Sequence, residues 1–248
     1  FDTVIETTDY DQAREAAWAE RMLDWNAAGV VLSGVDHAPE LRMRLRESRI
    51  PTLEIWYVTD DPIDMCVGVD HVAAGRALGD HLVACGYRRP AFVGVPERRD
   101  RRADKRLTGL TEAFALAGVA EVIVERVDRR AAFEAGSLGT ERLLRRSAPL
   151  PDVICYLNDH MAFGGMSACE RFEVKVPEVI GVAGFNDLEI NAVMARPITT
   201  LKTPRQTMGA IGARNLVARI NGALVEKCVS LPTVLREGST TRPLMGRG

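Results

Sequence analysis

The sequence predicts an α/β protein made of two doubly wound halves, and three observations carry that expectation. Short β-branched runs alternate with longer amphipathic stretches almost to the end of the chain, the pattern of parallel strands covered by helices on both faces. With 248 residues and 46% hydrophobic content, the chain can bury a sizeable core. Roughly ten strand candidates are too many for one comfortable sheet at this length, so two halves are expected. No Pro/Gly/Ser linker or internal repeat marks a boundary, so several crossings of the chain should join the halves.

In chain order, "TVIET" reads as a strand leading into the helix-like "DQAREAAWAERMLDWNAAG", and "GVVLS" as a strand leading into "PELRMRLRES". After "PTLEIW" and "MCVGVD" comes "HVAAGRALGDHLVACGY", where Ala74, Leu78, Leu82 and Cys85 fall on one helical face. Strand–helix pairs follow: "PAFVGV" with "ADKRLTGLTEAFALAG", "EVIVERV" with "FEAGSLGTERLLRR", and "DVICYL" with "DHMAFGGMSACERF". "EVIGVAGF" precedes a shorter helical stretch. The chain closes with "ITTLKT", the helix "PRQTMGAIGARNLVARING" and the strand-like "VSLPTVL".

Composition excludes several functions. Lys plus Arg number 32 against 34 Asp plus Glu, and a net charge of −2 gives no basic field to hold this segment on nucleic acid. The five cysteines at 66, 85, 155, 169 and 228 are odd in number, widely spaced and free of CxxC pairs, which fits a reducing, cytoplasmic setting. No run of about 18 apolar residues is present to span a membrane. "FDTVIETTDYDQ" has neither the basic start nor the apolar core of a signal peptide. There is no GxSxG, GxxxxGK[ST], GxGxxG or HExxH, and the histidines at 37, 71, 81 and 160 lack metal-ligand spacing. No catalysis, metal or cofactor is expected.

Ligands of open α/β sheets bind beyond the carboxyl ends of the strands. The residues there are polar or aromatic: Thr8, Asp9 and Tyr10; Ser33; Trp56; Asn158 and Asp159; Asn186 and Asp187. Each of the Asn, Asp and Ser residues is also a favoured helix N-cap or turn residue, so the set says more than any member. The basic run "RRDRRADKR", residues 98–106, has no interleaved aromatics and reads as a solvated loop feeding a helix, with a second role in attracting an anion.

"GVVLSG", "PTLEIW", "VGVDHVAAGRALGDHLVACGYRRPAFVGVP", "KRLTGLTEAF", "LPDVICYLNDHMAFGGMSACERFEVKVPEVIGVAGFNDLEI" and "PITTLKTPRQTMGAIGARNL" together resemble the lactose-repressor/galactose-repressor (LacI/GalR) family of bacterial transcription regulators, and more closely its gluconate-repressor-like branch. The resemblance spans about residues 2–243. It implies a periplasmic-binding-protein-like fold of type I: two Rossmann-like subdomains, joined by three crossovers, with a small effector held between them. Matching "VGVD", "TLKT" and "SLPT" to the crossovers places residues 1–69 and 204–231 in one subdomain and 70–203 and 232–243 in the other. It also implies a homodimer whose operator DNA is bound by a helix-turn-helix domain upstream of this region. That domain, and the first strand and helix of the N-terminal subdomain, are not in this chain. Leu41, Met43 and Leu45 suit a core or a dimer interface equally.

Position by position, Arg106 in "KRLTG" resembles the family arginine that reaches the effector, where its planar fork suits a hydroxyl pair, carboxylate or phosphate. Taken alone, it reads as a solvated residue at a helix start. Asn158 resembles the family's effector-contacting Asn, with Asp159 in the helix's first turn where negative charge is favoured. Asn186 departs from the family, where Asp is common. An amide donates as well as accepts and does not repel anions, which points toward a sugar acid or sugar phosphate. Trp56 suits stacking on a sugar ring or core packing. Asp9 and Tyr10 resemble site-lining residues of this branch, or turn formers. Phe133, ahead of "EAG", is either wall or core. The expected function is the effector-binding and dimerisation core of a repressor, with a solute-binding protein of a sugar uptake system as the alternative.

Overall fold

The computed structural model describes residues 2–9, 11–119, 121–146 and 149–244. The chain divides into two compact units, Phe1–Asp70 with Pro204–Pro232 and His71–Thr203 with Thr233–Gly248, so it passes between them three times.

The first unit begins differently from the expectation. Residues 2–8 form no strand, and Val4 and Ile5 are exposed. An alternating pattern becomes a strand only when a neighbour pairs with its backbone, and among the described residues none lies alongside it. Helix α1 (Gln12–Asp24) then starts at Asp11, whose carboxylate accepts from the Ala13 and Arg14 amides at 2.9 and 3.1 Å. Helix α2 (Pro39–Ser48) uses proline in its first turn, where no amide is needed, and stops at Arg49 in the left-handed region. Strands β1 (Val30–Ser33), β2 (Thr52–Tyr57), β3 (Met65–Val69) and β9 (Cys228–Ser230) form a parallel sheet in the order β1-β2-β3-β9. Ala19, Met22, Leu41 and Leu45 pack with Val30 and Leu32 in one cluster, and Met208 of α7 (Arg205–Ile220) packs with Leu53, Met65 and Val67 in another. Leu41 and Leu45 are therefore core, while Met43 is exposed.

A polar network runs through this unit. Glu54 is fully buried in β2 and accepts from the Ile63 amide at 2.6 Å and from Arg42 at 3.2 Å. His37 sits between it and Glu15, with Nδ1 2.7 Å from Glu15 and Nε2 3.5 Å from Glu54. Burial opposes charge on His37, but hydrogen bonding to Glu15, the charges of Glu15 and Glu54, and the Gly34 carbonyl outweigh it and raise its pKa.

The second unit contains α3 (His71–Ala84), β4 (Pro90–Gly94), α4 (Arg101–Leu116), β5 (Ile123–Arg126), α5 (Ala132–Leu144), β6 (Val153–Tyr156), α6 (Asp159–Arg171), β7 (Gly181–Asn186), β8 (Thr199–Lys202) and β10 (Val234–Arg236). Its strand order is β10-β8-β7-β6-β4-β5, parallel except for β10, which runs antiparallel to β8. The segment "VSLPTVL" is thus two strands in two different sheets, separated around Pro232, where a missing amide interrupts strand pairing.

Helices cover both faces. Phe92 and Cys155 meet α3 and α4, whereas Val93 and Tyr156 meet α5 and α6, where Tyr156 hydrogen-bonds Thr140 at 2.6 Å. Each helix pair is drawn together by reciprocal glycines. A Cβ on Gly75 would lie 1.9 Å from the Arg106 carbonyl oxygen, and one on Gly109 1.9 Å from that of Val72. Gly136 faces the Met161 carbonyl and Gly164 that of Phe133 in the same way. Backbone meets backbone at both crossings because no side chain stands between.

The basic run at 98–106 is folded rather than a loop. Glu97–Arg99 makes a short 3-10 turn, and Asp100 caps α4 by accepting from the Ala103 amide at 3.1 Å. Arg99 pairs with Asp128 at 2.8 Å and Arg102 with Asp100 at 3.4 Å. An N-cap and local carboxylates offset the like charges, so the helix extends back into the run.

Candidate functional site

In the six-stranded sheet, β4 leads outward to β5, and the chain then returns past β4 to place β6 on its other side. This reversal makes the carboxyl ends of β4 and β6 the topological switch point, where open α/β sheets bind ligands. Arg106 stands there. One of its terminal nitrogens donates to the Leu157 carbonyl at 3.0 Å, the other to His71 Nδ1 at 3.0 Å, and the guanidinium lies 4.1 Å above the Phe185 ring. Guanidinium has no acceptor, so His71 Nδ1 supplies a lone pair here and its ring proton is on Nε2. Arg106 is 8% exposed, which excludes the reading as a solvated helix-start residue. A cavity of about 20 Å³, room for a single water, adjoins it between Gly75, Tyr156, Gly184 and Phe185.

Asn158 follows on from that carbonyl. It is the N-cap of α6, in extended conformation, and its Oδ1 accepts from the Met161 amide at 2.9 Å. Capping therefore uses the side-chain oxygen and leaves the amide nitrogen, with its two donors, for another partner. Asp159 does more than balance the helix terminus. It is fully buried and accepts from Thr200 Oγ1 at 2.7 Å and from the Leu188 amide at 2.8 Å, tying α6 to β8 and to the loop after β7. Burial raises its pKa, opposed by these hydrogen bonds. Gly184 is the residue that admits it, since a Cβ there would lie 2.2 Å from Asp159 Oδ1.

Asn186 ends β7 with φ of 113°, followed by Asp187 at 53°. Two consecutive positive φ values turn the chain sharply, and Asn and Asp are the side chains that tolerate this best. Thr203 donates to Asn186 Oδ1 at 3.5 Å, again leaving the amide nitrogen as donor. Arg106, Asn158 and Asn186 thus share one end of one sheet. Phe133 is in the same unit at the start of α5, half-exposed, with its ring edge-on to His160 at 5.2 Å; it is not core. Trp56 and Asp9 belong to the other unit. Trp56 holds φ of 85°, an uncommon strain for an aromatic residue, over Gly68, where a Cβ would meet its backbone. Asp9 is in a turn with φ of 53° and pairs with Arg14 at 3.3 Å. Tyr10 lies outside the described residues.

His71 and Phe185 are not among the candidates the sequence offers, and Asp159, which is, reads there only as a first-turn charge. His71 is buried and 5.8 Å from the Phe185 ring. Its signal in the sequence is a polar ring two residues beyond a strand and at the start of a helix, a position that metal-ligand spacing does not pick out.

Two α/β units joined by three crossings are the architecture of a periplasmic-binding-protein-like fold, and residues 79–241 match the family model of the periplasmic binding protein-like domain. Over 243 residues the chain is 31% identical to the HTH-type transcriptional regulator GntR of Escherichia coli K12, covering 98% of this chain and 71% of that protein. Its fold is similar to that of a LacI-family regulator from Silicibacter pomeroyi, with a TM-score of 0.91 and 31% identity over 98% of this chain and 73% of the other. It is also similar to the regulator GntR from Chromobacterium violaceum, with a TM-score of 0.87 and 28% identity over 97% and 88%. The chain belongs to the LacI/GalR family of transcriptional regulators, within its gluconate-repressor-like branch. Among the described residues, no helix is long and apolar enough to cross a membrane.

Proposed function

We propose that this chain is the effector-binding and dimerisation core of a cytoplasmic transcriptional repressor, and that its effector is a small sugar-like anion, a sugar acid or sugar phosphate. The observation that carries this reading is Arg106 at the switch point, held by His71, Leu157 and Phe185, with Asn158 and Asn186 at the same end of the sheet. A guanidinium and two carboxamide nitrogens at one sheet end favour a partner that accepts hydrogen bonds, and Asn186 puts an amide where the family resemblance implies a carboxylate. Regulation follows from linkage: an effector with different affinities for two arrangements of the protein biases them, and with them a helix-turn-helix domain upstream that grips operator DNA. The chain performs no catalysis in this reading.

A thermal-shift screen of the chain against sugar acids, sugar phosphates and neutral sugars tests it. A ligand at 100 times its dissociation constant adds about 2.7 kcal/mol, a rise of several degrees in melting temperature. Stabilisation confined to anionic sugars supports the proposal; stabilisation by neutral sugars alone overturns the anion assignment. Sedimentation showing only monomer at tens of micromolar overturns the dimer.

A further inference from the structure

Strands β3 and β9 are parallel neighbours, and their register sets Cys66 directly opposite Cys228. In-register partners on adjacent strands project to the same face with Cα atoms about 4.8 Å apart, inside the roughly 4.4–6.8 Å span of disulfides. Cys66 is buried and Cys228 partly exposed, while the other three cysteines are buried in the other unit. We propose that Cys66 and Cys228 form a reversible dithiol–disulfide modification site, oxidised by hydroperoxides.

The chemistry assigns an order. Burial pushes the Cys66 thiol up to about 12, so it remains protonated and inert toward oxidants by itself. The accessible Cys228 reacts first: its thiolate attacks the peroxide oxygen, breaking the O–O bond and giving Cys228 sulfenic acid with hydroxide as the leaving group. Cys66 sulfur then displaces the sulfenic hydroxyl, and its proton leaves with that hydroxyl as water. In sum, two thiols and one hydrogen peroxide become one disulfide and two waters. A disulfide is reopened by thiol–disulfide exchange, in which an external thiolate attacks one sulfur and a second thiol releases the mixed disulfide, so cellular thiols can reverse the modification.

Position gives the bond a consequence. Asp70 and Pro232, the last residues of the first unit on these two segments, each lie four positions beyond their cysteine. A Cys66–Cys228 bond therefore staples together two of the three segments by which the chain passes between units, at their base. Oxidation would stiffen the connections on which a change of arrangement depends.

The test is a thiol count on the reduced chain after hydrogen peroxide, followed by denaturation in an alkylating agent and non-reducing peptide mapping. The expected result is a fall from the five thiols of the native chain to three, a single linkage joining the Cys66 and Cys228 peptides, and full recovery with dithiothreitol. Cys66→Ser should trap a sulfenic acid on Cys228 that dimedone labels, and Cys228→Ser should keep its four thiols. Retention of all five thiols in the native chain, a linkage that maps elsewhere or between chains, or oxidation of Cys66 in the Cys228→Ser chain overturns the proposal.

Discussion

At the residue scale, Arg106 combines two demands that the sequence does not separate. Its stem and fork are built into the fold through His71, the Leu157 carbonyl and the Phe185 ring, and the same guanidinium is the group proposed to meet an effector. Arg106→Ala should therefore lower stability as well as affinity. Loss of hydrogen bonds from a charged donor amounts to about 1.5–3 kcal/mol, read as a depressed melting temperature without ligand; an unchanged melt would show that these contacts are not held in solution. Asn158 allows the two roles to be parted. Asp caps a helix as well as Asn does, so Asn158→Asp should leave the melt unchanged and weaken binding of an anionic sugar tenfold or more, whereas Asn158→Ala should also lose about 1 kcal/mol of stability. Equal affinity for wild type and Asn158→Asp would confine Asn158 to capping. His37 carries a pH dependence. Its pKa is raised in the folded state by Glu15 and Glu54 against burial, so its contribution is complete below the unfolded value of about 6.5 and is lost as pH rises through the folded value. Glu54, raised by burial, acts in the same direction. The chain should melt higher at about pH 6 than at about pH 8.5, and His37→Gln should flatten that slope; an unaltered slope contradicts the assignment. The candidates at 158 and 186 were legible because strand ends can be read from a one-dimensional pattern, whereas Arg106 stood out only through the family resemblance of "KRLTG". His71 was not, because its significance is a contact 35 residues away in sequence.

At the element scale, close helix pairing positions the site. Gly75 and Gly109 let α3 and α4 touch backbone to backbone, which sets His71 at the start of α3 and Arg106 in the second turn of α4 within hydrogen-bonding distance. Gly109→Ala would drive a Cβ to 1.9 Å from a backbone oxygen that cannot rotate away, and overpacking of this kind should cost about 3 kcal/mol or more. Gly209 in α7 has nothing within 4 Å, so Gly209→Ala should stabilise by about 0.5–1 kcal/mol. Chemical denaturation of both variants checks the contrast, and equal effects would contradict this account of the crossing. Glycines in "AAGRALG" and "LTGLTEA" look in sequence like helix weaknesses; only the facing helix reveals them as contact points. The same limit explains "TVIET", whose alternation is strand-like but whose strand requires a neighbour, and "VSLPTVL", whose two halves differ in sheet but not in pattern.

At the scale of the whole molecule, the α/β class was legible because strand and helix alternate with little interruption, and that regularity lies in hydrophobic periodicity alone. The antiparallel β10 was not, since strand direction is a matter of partners rather than of pattern. The proposed effector recognition draws on both scales: a fold that brings strand ends to a switch point, and particular donors standing there. Isothermal titration calorimetry of the wild-type and Arg106→Ala chains, against a sugar acid and the neutral sugar of the same carbon skeleton, measures their combination directly. The account predicts one site per chain for the acid, at least tenfold weaker binding of the neutral sugar, and roughly a tenfold to hundredfold loss for the acid in Arg106→Ala. Acid and neutral sugar bound equally well, or an Arg106→Ala chain that binds the acid as tightly as wild type, would contradict it.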